Sequence, residues 1–71
     1  MITIEYDEKY EVTIIVDEAG AKELSQLFNL LARHEETHFH LMTPSFAGNE
    51  LSELKYNDNN TLINMLRLQI V

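Results

Sequence analysis

The chain has 71 residues, no cysteine, and twelve Asp and Glu against five Lys and Arg, for a net charge of −7. That length holds one domain, residues 1–71, with a limited core, and the missing cysteines exclude disulfide staples and thiolate metal cages. The acidic balance is wrong for phosphate backbones and anionic lipid, so neither nucleic acid nor membrane is an expected partner, while a basic protein surface is.

Ile2, Ile4 and Tyr6 alternate with Thr3 and Glu5, and Tyr10, Val12, Ile14 and Val16 alternate with Glu11, Thr13 and Ile15. Period-two alternation rich in β-branched and aromatic residues reads as two half-buried strands, with Asp7-Glu8-Lys9 as a hairpin turn. Carboxylates at Glu5, Asp7 and Glu8 stand where a secretory signal would be basic and then apolar. With apolar runs too short for a membrane span, a cytoplasmic protein is expected. The period then lengthens: Leu24, Leu27, Phe28 and Leu31 share one helical face. Asp17 is placed to cap the start and Arg33 and His34 suit the end, giving an expected helix over Glu18–Arg33 in which Gly20 is tolerated.

Thr37–Met42 alternates again, with His38, His40 and Met42 on one side and Phe39 and Leu41 on the other. Pro44, Ser45, Gly48 and Asn49 mark a loop. Glu50–Tyr56 fits either a strand or an irregular segment, and Asn57–Asn60 is a turn. Thr61–Val71 reads as a terminal strand interrupted at Asn64. The order is β-β-α-β-(β)-β, an α+β fold in which a small antiparallel sheet carries one helix on a face. The uncovered sheet face and any edge strand are places for another molecule, including a second copy in a homodimer.

His38 and His40 would project together from a strand and could hold zinc with a carboxylate from Glu35, Glu36 or Glu50. A His-x-His pair without a third ligand at fixed spacing has little specificity, so the expected reading is polar strand residues and no cofactor. No nucleophile elbow or glycine-rich phosphate cradle is present, and the chain is not expected to be an enzyme. Phe46, beside Gly48 and Asn49, either closes one end of the core or serves as an aromatic anchor for a partner.

The stretch HFHLMTPSFAGNELSE, with the terminal run Met65–Val71, resembles the signature of the immunity protein 32 family, small bacterial proteins of polymorphic toxin systems. The likeness covers about residues 38–71, while the first half agrees only in its strand-strand-helix layout. Ala47 stands where a second glycine is expected, and Phe46 where tryptophan is commoner. The resemblance implies a protein that binds and neutralises a cognate toxin domain. With the acidic charge it points to a nuclease whose cleft would accept carboxylates in place of phosphates. The partner-binding candidates are Glu35, Glu36, Phe46, Asn49, Glu50 and Glu53, with Glu5, Asp7 and Glu8 as a second cluster. A small metal-binding or self-associating regulatory module is the alternative.

Overall fold

The computed structural model describes residues 1–71, and the elements fall in the expected order. Strands β1 (Ile2–Tyr6) and β2 (Val12–Val16) form an antiparallel hairpin, Ile2 opposite Val16 and Tyr6 opposite Val12. One side chain makes the turn. Asp7 Oδ1 accepts the N–H groups of Lys9, Tyr10 and Glu11, and the Asp7 N–H donates to Glu11 O. An Asp collecting local N–H groups is the Asx-turn mechanism.

Helix α1 spans Glu18–Ala32. Asp17 Oδ1 accepts the Gly20 N–H at 2.7 Å and also the Met1 ammonium at 2.7 Å, so one carboxylate ties the helix start to β1. The helix ends in a Schellman arrangement: His34 N–H donates to Leu31 O and Glu35 N–H to Leu30 O. His34 takes the left-handed conformation, φ 58°, where glycine is usual.

Strand β3 (His38–Met42) pairs antiparallel with β5 (Met65–Gln69), and a short β4 (Thr61–Leu62) pairs with the far edge of β1. The result is two antiparallel sheets, β2-β1-β4 and β3-β5, where one sheet was expected. Asn64 explains the division. Ile63 N–H still donates to Ile4 O of the first sheet, whereas Asn64 O accepts the Thr43 N–H beside the second. The Asn64 Oδ1 accepts the Thr43 hydroxyl at 2.7 Å and fixes the bend, so one terminal run serves both sheets.

Glu50–Tyr56 is irregular. It follows β1 through single contacts: Ser52 N–H to Ile2 O, the Thr3 hydroxyl to Leu54 O, and Tyr56 N–H to the Glu5 carboxylate. These contacts bury Thr3 and Glu5, so β1 is covered on both faces rather than half-buried. Its other row, Ile2 and Ile4, forms the core with Leu41 and Leu51, against Leu24 and Leu27 of α1 and Phe39, Leu66 and Leu68 of the second sheet. Burying such side chains is the main favourable term in folding. No helix is long and apolar enough to cross a membrane.

Candidate functional site

The loop between β3 and Glu53 carries Phe46, Asn49, Glu50 and Glu53, four of the partner-binding candidates. It is tightly wound. Buried Thr43 anchors its start on Asn64, after which Pro44–Phe46 makes one 3₁₀ turn, with Phe46 N–H and Gly48 N–H both donating to Thr43 O. Proline leads the turn, where its fixed φ suits and its missing N–H costs nothing. Ala47 follows in the left-handed region, φ 65° and ψ 23°. The position that departs from the expected glycine is therefore one where the backbone favours glycine. Gly48 needs its lack of side chain for another reason: a Cβ there would lie 2.6 Å from both Met42 Cβ and Met42 O.

Two carboxylates hold this loop from within. Glu50 Oε1 accepts the Met42 N–H at 3.1 Å and its Oε2 accepts the Asn49 N–H at 3.2 Å. Glu53 Oε1 accepts the Ser45 N–H at 2.7 Å. The Ser45 hydroxyl, and then this N–H, hold the Glu53 carboxyl below its ordinary pKa against the opposing effect of desolvation. Glu50 and Glu53 thus shape the loop as well as charging it. Phe46 is 49% exposed at its apex, which removes the core-closing reading of that ring. Asn49 beside it is exposed as well.

Nothing in known proteins matches the chain, whether family models, curated proteins or solved structures.

The other candidates lie elsewhere. Glu35 follows the C-terminus of α1 and pairs with Arg33 at 2.8 Å, and Glu36 is exposed next to it. The second acidic group does not act as a cluster. Glu5 is only 1% exposed, with its carboxylate accepting the Tyr56 N–H and the Asn60 amide. The Tyr56 N–H is the main reason its pKa lies below the ordinary value, since burial pushes the other way. Asp7 is committed to the hairpin turn, where the Tyr10 and Lys9 N–H groups likewise lower its pKa. Glu8 alone of the three is exposed without such bonds.

His38 and His40 do share the outer face of β3, ring centroids 5.2 Å apart. No third His, Cys, Asp or Glu joins them in a metal-binding group. Arg67 lies directly opposite His40 in the ladder, its NH1 3.2 Å from His40 Nε2, and a guanidinium in that place opposes a second cation.

Sequence reasoning missed the role of Glu5, whose signal was a lone carboxylate inside an apolar strand. It also missed a shallow groove of about 570 Å³ between Phe28, Leu31 and Ala32 of α1 and Leu68 and Ile70 of the terminal run. Phe28, read as part of the buried helical stripe, is half exposed at that groove.

Proposed function

We propose that this chain is a non-catalytic binding protein that neutralises a cognate toxin domain in the bacterial cytoplasm. The observation that carries the reading is Phe46: a half-exposed aromatic ring on a loop whose backbone is already fixed by Glu50, Glu53 and Thr43. Ordering a loop and its side chains on binding costs about 0.5–1.5 kcal/mol per side chain, and a loop prepared in advance avoids much of this. Aromatic anchors are also over-represented among the few residues that dominate binding energy.

Two further facts support it. The stretch from His38 to Leu51 resembles the immunity protein 32 signature, and the glycine expected at 47 matches the left-handed backbone found there. Glu35, Glu36, Glu53 and most other carboxylates are exposed, so their field steers the chain toward a basic surface. Among toxin domains, a nuclease offers such a surface in its phosphate-binding cleft.

The test is co-expression with the toxin domain encoded beside this protein, followed by recovery of the complex. Rescue of growth and a stable complex are expected. A Phe46→Ala variant should fold normally, because the ring is half exposed, yet bind about 30-fold more weakly or worse, the equivalent of a loss of about 2 kcal/mol. A toxin that stays lethal, with no complex recovered, rejects the reading.

A further inference from the structure

The most exposed apolar row in the molecule lies on β2. Tyr10 is 93% exposed, Val12 60%, Ile14 51% and Val16 37%. The register with β1 places Val12, Ile14 and Val16 on the same face as Tyr6, Ile4 and Ile2, so the row extends the core face outward beyond its cover. β2 is also the free edge of its sheet.

The hairpin's own hydrogen bonds show which backbone groups that edge offers. Asp7 N–H donates to Glu11 O and Asp17 N–H to Met1 O, so the hydrogen-bonded pairs fall on odd-numbered residues. In an antiparallel ladder these pairs alternate with non-bonded ones. Val12, Ile14 and Val16 therefore point their N–H and C=O groups away from β1. The residues with the exposed side chains are the ones with the unpaired backbone. The strand VTIIV carries no charge, proline or bulge, the devices that usually protect an edge.

We propose that two copies of this chain pair antiparallel through β2, about a twofold axis at Thr13, to form one continuous six-stranded sheet. Thr13 faces its own copy. Val12 exchanges both backbone hydrogen bonds with Ile14 of the partner, and Ile14 does so with the partner's Val12. Tyr10 packs against the partner's Val16, so every residue of the row gains an apolar neighbour across the seam.

The apolar row selects a second copy in this register. With the axis at Thr13, Lys9 comes opposite the partner's Asp17 and Glu8 opposite its Glu18, each twice over. Asp17 is half exposed while holding the Met1 ammonium, and Glu18, next along, already pairs with Lys22. Moving the axis to Ile14 sets Glu11 against the partner's Asp17 and Tyr10 against its Glu18. Moving it to Val12 sets Val16 against Glu8. Only the Thr13 axis sets all four apolar residues of the row against apolar residues of the partner. A twofold interface must be self-complementary, and this one is.

The experiment is sedimentation of the unmodified chain from about 5 µM to about 1 mM, a range suited to small interfaces. The mass should rise from 8.3 kDa toward twice that value. Ile14→Lys should return it to 8.3 kDa throughout with an unchanged circular dichroism spectrum. Lys9→Glu should weaken dimerisation, and its difference from the wild-type chain should shrink as salt is raised. The register is tested by Thr13→Cys. A non-bonded antiparallel pair sets Cα atoms about 4.5 Å apart, within disulfide range, and the chain has no other cysteine to compete. That variant should oxidise to a covalent dimer. A monomer at every concentration, or a dimer that survives Ile14→Lys and does not cross-link through Thr13→Cys, overturns the proposal. Neither result bears on whether the Phe46 loop binds a toxin.

Discussion

Adjacent residues of the Phe46 loop should respond to substitution with opposite signs. Ala47 has φ 65°, and a left-handed conformation costs a residue with a Cβ about 1–2 kcal/mol. Ala47→Gly removes that cost but gives the unfolded chain extra freedom worth about 0.4–1 kcal/mol. The net expectation is a gain of about 0.5–1 kcal/mol. Gly48→Ala adds a Cβ 2.6 Å from Met42 Cβ and Met42 O, where ordinary contact starts at 3.4 Å, so backbone must move by about 0.8 Å. Overpacking of this kind costs about 1–3 kcal/mol. A chain of this length is stable by only about 4–10 kcal/mol, so the loss is a substantial fraction. Urea unfolding followed by circular dichroism resolves both, since a slope near 1 kcal/mol per molar turns each change into a midpoint shift of about half a molar or more. A neutral Gly48→Ala, together with an Ala47→Gly that destabilises as glycine does in ordinary loops, would refute the account of the loop.

Gly20→Ala should also destabilise, although alanine is favoured over glycine in helices by about 1 kcal/mol. The added Cβ would sit 2.0 Å from Met1 O, and a midpoint equal to or above that of the wild type would contradict this contact. Acid should weaken the fold. Glu5, Asp7, Asp17 and Glu53 have folded pKa values below their ordinary 4.5, 3.8, 3.8 and 4.5, so their contribution is complete above about pH 5 and is lost as pH falls through the folded values. Urea midpoints measured from pH 7 to pH 3 should stay level and then drop, less steeply in Glu5→Gln; an equal slope in both proteins rejects the part assigned to Glu5. Zinc should leave the melting temperature unchanged, because His38 and His40 lack a third ligand and face Arg67. A zinc-dependent rise in melting temperature that His38→Ala abolishes would show otherwise.

Local pattern carried most of the fold. The helix was legible because four apolar residues and one capping Asp agree on it, and it ends one residue short of the expected Arg33. Strands β1, β2 and β3 were legible because alternation is a property of a few neighbours. What the pattern could not show is which alternating row the rest of the chain would cover. Ile2-Ile4 and Val12-Ile14-Val16 look equivalent in sequence, yet the first lies at the centre of its sheet and the second at the edge. Asn64 showed locally as an interruption, but the division into two sheets depended on its meeting Thr43, 21 residues away. At the candidate site the residue types were visible, but the use of Glu50 and Glu53 as internal caps required the loop to be folded already.

The enclosure of β1 also sets an order of events during synthesis. Its partners across the far edge lie 51 residues on at Leu54 and 55 residues on at Asn60, so they leave the ribosome long after the strand itself. At about 5–20 residues per second, Thr3 and Glu5 wait roughly 3–11 s before the segment that buries them exists. During that interval the nascent hairpin and helix expose an apolar surface that a chaperone could hold. The first strand made waits for most of the chain, and any chain released before Leu62 would carry it with its far edge open.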